Sequence, residues 1–184
     1  RLHLYGLNKI YISIFYKAEM VKDYFKKLSN PDSNIKFLEE EKPLGTAGCL
    51  YLLKDKNIVD PIIVINGDVL TDMNYRQLID YHNQSNKLIT VCAAIYDIQI
   101  PFGTIELEDN KLSNIIEKPI KKYLINAGIY IINPELLNEI KDNTLVNMTD
   151  LIEKNIKENS VGIFPLHEQW LDIGNHKDYE KAQE

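Results

Sequence analysis

The residues of this chain whose types and spacing best suit chemistry are Asn66-Gly67-Asp68, which close the apolar run Pro61-Ile-Ile-Val-Ile65. A short, β-branched run without alternation predicts a strand buried on both faces, as in a parallel sheet covered by helices. Ligands of such open sheets sit beyond the carboxyl ends of the strands. Asp68 is thus a carboxylate delivered to a ligand site, with Gly67 expected to let the backbone turn and approach closely. A bare carboxylate in that place suits a divalent cation held against a phosphate. The same three residues also suit a plain turn, and the segment alone leaves both readings open.

The elements around this junction alternate. The spacing predicts a helix end at residues 1–6 closed by Gly6, a strand over 9–16, an amphipathic helix over 19–28 and a short strand over 35–38. Thr46 is the expected N-cap of a helix over 46–53. The strand 62–65, a helix over 74–84 and a strand over 88–95 follow. This βα alternation argues for an α/β, Rossmann-like, doubly wound and mostly parallel sheet. The pattern then changes. Residues 103–117 read as two alternating strands around an Asp109-Asn110 turn, a small antiparallel subregion. A buried strand over 126–133, a helix begun by Pro134, a helix over 149–159, a strand over 161–165, the segment 170–174 and a last helix from about residue 177 complete the chain. No linker or repeat divides it, so one domain over residues 1–184 is expected.

Bulk properties narrow the partners. With 184 residues and 45% hydrophobic content the chain can build one sizeable core. A net charge of −6 disfavours a nucleic-acid surface. The apolar stretches fall well short of the ~20 residues that span a bilayer, so no membrane partner is expected. Cys49 and Cys92 lack metal-ligand spacing and read as free thiols in a reducing cytoplasm. His3, His82, His167 and His176 are scattered, and the sequence has no nucleophile elbow or zinc spacing, which disfavours hydrolase and zinc chemistry.

Four signatures occur in fixed order: Pro43-Leu-Gly-Thr-Ala-Gly48, Asn66-Gly-Asp68, Glu117-Lys-Pro119 and Trp170-Leu-Asp-Ile-Gly174. Each alone has a plain structural reading, as a turn, a solvated strand end or a core aromatic. As a set the chain resembles the sugar-1-phosphate nucleotidylyltransferases, over essentially its whole length. The resemblance implies the nucleotide-diphospho-sugar transferase fold and transfer of a nucleotidyl group from an NTP to a sugar-1-phosphate, releasing pyrophosphate with Mg²⁺ as cofactor. It places Gly45 and Thr46 in the base-binding turn and has Asp68 and Asp172 hold the catalytic metal from opposite sides. It sets Gly103 against the sugar, Glu117 on the sugar hydroxyls, Lys118 on the sugar phosphate and Asn126 at a sugar-contacting position. Asp68, Lys118 and Asp172 are then the catalytic set. Glu40, just upstream of Pro43, lies where thymidylyl and uridylyl members often carry glutamine. A carboxylate accepts only, so it suits the N–H donors of guanine, which leans the base toward GTP. Solvation of Glu40 and Glu41 in an acidic loop is the other reading.

The family's glycine-rich phosphate loop is missing, and the chain starts at Arg1 in mid-element. The expectation is an N-terminally truncated domain lacking its first strand and that loop, inactive as it stands. Loss of an interior strand would leave two edges bare, to be filled by a bound N-terminal fragment or by self-association. A catalytically silent nucleotide-sugar-binding relative is the alternative function. The retention of both Asp68 and Asp172 argues against it.

Overall fold

The computed structural model describes residues 2–28, 34–174 and 179–180. β1 (Lys9–Ile14) and β2 (Asn34–Glu39) pair in parallel, and α1 (Ala18–Leu28) lies between them in sequence. A parallel pair needs such a crossover, because the chain must return to its starting end. Phe25 of α1 meets Phe37 of β2 edge-on, with ring centroids 6.1 Å apart. Next come α2 (Gly45–Gly48), the 3₁₀ helix Cys49–Lys56, β3 (Ile62–Ile65) and β4 (Val69–Thr71). α3 (Tyr75–Ser85) starts where the Asn74 side chain accepts from the N–H groups of Arg76 and Gln77, satisfying donors that a helix start leaves open.

β5 (Ile89–Gln99), the hairpin of β6 (Thr104–Glu108) and β7 (Lys111–Ile116), and β8 (Ile120–Ile132) run on without an intervening helix. Asp109 and Asn110 carry φ of 49° and 61°, the left-handed pair a two-residue hairpin turn requires. The 3₁₀ helix Pro134–Glu139, α4 (Met148–Ile156), β9 (Val161–Pro165) and β10 (Trp170–Asp172) complete the order. Asn147 and Asp150 form a reciprocal capping box at the start of α4. The expected last helix from residue 177 lies mostly outside the described residues.

The central sheet has the order β3-β8-β5-β9. β5 and β9 are parallel, whereas β8 is antiparallel to both β3 and β5. The expected α/β class with helices on both faces stands, and its central sheet is mixed. The reason is the hairpin, which returns the chain without a helical crossover and so sends β8 back the other way. Two cores cover the sheet. Ile62 and Val64 of β3 pack into one with Leu136, Met148 and Leu151, while Ile63 and Ile65 pack into the other with Met73, Leu78 and Ile129. Both faces of β3 are therefore covered, as expected, yet its residues are only half-buried. β3 pairs with β8 alone and β1 with β2 alone, so among the described residues each keeps one unpaired edge.

Both long strands run further than their apolar runs suggest. β5 is buried over 89–94 and exposed over 95–99, and β8 is exposed over 120–124 and buried over 127–132. Their outer halves pair as an arm, Ile95 opposite Leu124 and Gln99 opposite Ile120, which leads into the β6–β7 hairpin.

Candidate active site

β3 ends at Ile65, and the chain is then caught at once by β8: Asn66 N–H donates to the Gly128 carbonyl at 2.8 Å. Gly128 has φ +70°, and a Cβ there would lie 2.8 Å from Asn66 Nδ2. The close backbone approach expected of Gly67 is met here instead, since a Cβ on Gly67 would touch nothing within 4 Å. A glycine inside a strand, as in Asn126-Ala-Gly128, is the sequence signal for such an approach. The Asn126 Oδ1 accepts from Gly128 N–H at 3.1 Å, which places Asn126 beside this junction. Asn126 also hydrogen-bonds the Tyr130 hydroxyl, whose pKa burial raises and this bond lowers in part.

Asp68 and Asp172 meet one step further on. β4 and β10 are antiparallel, with Val69 opposite Asp172, and Ile173 N–H donates to the Asp68 carbonyl at 2.8 Å. Asp172 Oδ1 and Asp68 Oδ2 lie 2.9 and 3.4 Å from the single point that a Cβ on Gly174 would occupy. Gly174 N–H donates to Asp172 Oδ1 at 2.8 Å, which orients that carboxylate and, among the described residues, leaves its second oxygen without a protein partner. Both side chains are exposed. Two hard oxygen donors converging on a point kept clear by glycine are the half-shell that Mg²⁺ accepts from a protein, the rest of its octahedron being left to phosphate and water oxygens. Among the described residues no group of three or more His, Cys, Asp or Glu forms a closed metal cage.

A second group forms around α2. Glu40 takes the Ser13 hydroxyl on Oε1 at 2.6 Å and the Leu44 N–H on Oε2 at 2.9 Å. Its carboxylate therefore closes the loop 40–44 and is held in one orientation. Gly45, at φ +77°, turns into α2 with its α-carbon against the segment 146–147, where a Cβ would lie 2.6 Å from the Val146 carbonyl. That carbonyl accepts from both Ala47 and Gly48. The N-cap position is Leu44 rather than Thr46. The Thr46 hydroxyl instead accepts from Met148 N–H at 2.8 Å and ties α2 to the start of α4. Ser13 and Val146 gave no signal in the sequence, since their parts here depend on distant pairing.

A third group lies at the root of the hairpin. A Cβ on Gly103 would lie 2.9 Å from Glu117 Oε2, so this backbone and this carboxylate share one small surface. Lys118 follows in the left-handed region at φ 45°, exposed and without an ion pair among the described residues. The structure thus brings Asp68 to Asp172, sets Asn126 beside the Asn66–Gly128 junction, joins Glu40 to the Gly45 turn and joins Gly103 to Glu117. Among the described residues no hydrogen bond connects the three groups.

A family model for nucleotidyl transferases matches residues 1–184. The chain is 32% identical over 185 residues to mannose-1-phosphate guanyltransferase 2 of Candida glabrata, covering 95% of this chain and 50% of that protein. It is also 32% identical over 185 residues to mannose-1-phosphate guanyltransferase of Saccharomyces cerevisiae, with the same two coverages of 95% and 50%. The chain spans about half the length of the curated relatives it matches. Among solved structures, HddC from Yersinia pseudotuberculosis superposes with a TM-score of 0.71 at 26% identity, covering 98% of this chain and 80% of that one.

Proposed function

The chain belongs to the nucleotidyl transferase family, and on that footing we propose that its protein transfers a nucleotidyl group from an NTP to a sugar-1-phosphate, giving an NDP-sugar and pyrophosphate. The observation that carries this reading is the convergence of Asp68 and Asp172 on the space kept open by Gly174. When bound there, Mg²⁺ would supply positive charge against crowded phosphate oxygens. The chain's own residues do the rest by placement. The attacking phosphate oxygen is already an anion, so no strong base and no covalent intermediate are needed. Catalysis reduces to bringing two phosphates into line and offsetting their charge. Lys118, exposed and unpaired among the described residues, is a cation suited to the sugar phosphate. Gly103, Glu117 and Asn126 take the sugar in this reading.

GTP is the proposed nucleotide and mannose-1-phosphate the first acceptor to test, in keeping with the names of the two yeast relatives. Ser13 and Leu44 hold the Glu40 carboxylate in place, and each of its oxygens retains a lone pair able to accept from guanine. Gly45 and Thr46 carry the turn beside it. The bare edges of β1 and β3 support pairing with one further strand, from a bound N-terminal fragment or from a second copy. Nothing in the net charge of −6 favours nucleic acid. No helix among the described residues is long and apolar enough to cross a membrane, and a cytoplasmic setting suits the two free thiols.

The test is pyrophosphate release by the full-length protein with each NTP and a panel of sugar phosphates under Mg²⁺. Release with GTP and mannose-1-phosphate is expected. No release with any pairing would sink the enzyme reading.

A further inference from the structure

Glu40 is held at three points by the end of β1 and the loop that follows β2. Its N–H donates to the Ile14 carbonyl at 3.0 Å. Its Oε1 accepts from the Ser13 hydroxyl at 2.6 Å and its Oε2 from Leu44 N–H at 2.9 Å. Both side-chain donors stand on anchored backbone. Ser13 lies in β1 opposite Leu38 of β2, and Leu44 is buried with its carbonyl taken by Val146 N–H at 2.8 Å. The direction of the Ser13 bond is fixed too. An ionised carboxylate has no proton to give, so the bond to Glu40 uses the proton of the hydroxyl. The Cys49 thiol hydrogen-bonds the same hydroxyl, and burial, ahead of the Glu40 charge, raises its pKa and keeps it protonated. The thiol is then the donor to Ser13, and Ser13 the donor to Glu40.

We propose that Ser13 is the positioning residue that sets base choice at this turn, by fixing Glu40 so that its two oxygens meet two adjacent N–H donors at once. This rests on Glu40 being the guanine contact of the proposed reaction. Guanine alone among the four bases presents two neighbouring donors, the ring N1–H and the exocyclic amine, on its pairing edge. Adenine and cytosine set an unprotonated ring nitrogen beside their amine, and uracil flanks its one N–H with carbonyls. Each of these turns a lone pair toward a carboxylate that has only lone pairs to offer. A carboxylate free to swing would lose the contrast, since one oxygen by itself can reach any amine. Ser13 and Leu44 prevent the swing. They also satisfy the lone pairs that a base leaves over, so covering the site strands no buried acceptor. Of the two, only Ser13 acts through a side chain, so base choice is adjustable there without altering the loop.

Calorimetric titration of the full-length protein with GTP, ITP and ATP tests this, with pyrophosphate release measured beside it. ITP keeps the N1–H of guanine and lacks its amine. The unmodified protein should favour GTP over both. Ser13→Ala should weaken GTP binding about tenfold, the loss of one hydrogen bond to a charged group, and ITP and ATP binding by less, so the preference shrinks. Ser13→Thr keeps the hydroxyl and should keep the preference. In a Glu40→Ala background, adding Ser13→Ala should change little, because Ser13 acts through Glu40. In turnover the Ser13→Ala defect should fall on the KM for GTP, with kcat within about threefold. An unchanged preference in Ser13→Ala would overturn the proposal, as would an equal loss for all three nucleotides or a full effect without Glu40. An unmodified protein that binds the three alike would remove it together with the guanine contact. Tight GTP binding without pyrophosphate release would defeat only the transferase reading, and the binding titrations would still decide the part of Ser13.

Discussion

The indole N–H of Trp170 donates to the Ala127 carbonyl at 2.8 Å, and this bond ties the strand that carries Asp172 to the interior of the central sheet. Among the described residues β10 has β4 as its only strand partner, and a ladder of three residues cannot hold a carboxylate still unaided. Ala127 of β8 is fully buried, so it serves as the fixed point.

Replacing Trp170 by Phe removes that bond and keeps most of the ring. The loss is ~1 kcal/mol, read as a fall of about 2–4 °C in Tm for a chain of this size. Mg²⁺ affinity should drop with it, because Asp172 then moves with an untethered strand. Calorimetric titration of Mg²⁺ against both proteins checks this, and an unchanged affinity would show that β10 is held by other contacts.

Asp68→Asn and Asp172→Asn each remove one of two converging negative charges without changing shape. Both side chains are exposed, so Tm should hold within about 1 °C. Activity of the full-length protein should fall by roughly 10²-fold or more in each, as expected when a group that positions charge in the transition state is lost. Equal activity in either variant would remove that residue from the proposed metal site.

Gly45→Ala tests the turn at the base of α2. At φ +77° an alanine is strained, and its Cβ would be driven to 2.6 Å from the Val146 carbonyl and 2.7 Å from Asn147 Oδ1. Both strain and displacement oppose folding, so a loss of more than ~1 kcal/mol is expected in urea unfolding. Gly67→Ala makes the useful contrast, with open space around its Cβ and little expected change.

Much of this architecture was readable in the residues, and the gaps have a common cause. β3 and β9 fall where their apolar runs lie, and the hairpin turns at Asp109-Asn110 as its residue types require. The outer halves of β5 and β8 did not show, because strands exposed on both faces carry no burial pattern and Lys121-Lys122 looks like a solvated loop. β4 was missed for its brevity. The convergence of Asp68 and Asp172 came from motif resemblance, since β4 and β10 are paired across most of the chain and no local signal reports that. His82 looked like one of four scattered histidines. In the fold it is buried, bridging Thr90 at 2.8 Å and Asn133 at 3.0 Å, a structural part that a lone polar residue on an apolar helix face can hint at but not specify.

Burial pushes the Cys92 thiol up from 9.0 to about 12, with the Glu168 carboxylate adding to the rise. The unfolded thiol gives up its proton first, so between these values the unfolded state binds fewer protons. Stability is therefore full below pH 9 and declines as pH climbs toward 12, with a slope of up to about 1.4 kcal/mol per pH unit from this group. Cys92→Ala should flatten that decline in denaturant titrations. In thiol labelling at pH 8 the native protein should expose Cys92 only on unfolding, whereas Cys49, half-buried, reacts earlier.

The contact of Asn66 with Gly128 has one more consequence. The strand Ile62-Ile-Val-Ile65 is nearly a homopolymer, and sliding it by one residue along β8 would still present aliphatic side chains to both cores. Hydrophobicity alone does not specify its alignment. The notch at Gly128 does, because a Cβ there would lie 2.8 Å from Asn66 Nδ2, and a slip of one residue toward Ile129 would force that amide against an aliphatic side chain. The missing side chain of a single glycine thus works as a ruler mark, setting to the nearest residue how far beyond the sheet Asp68 stands.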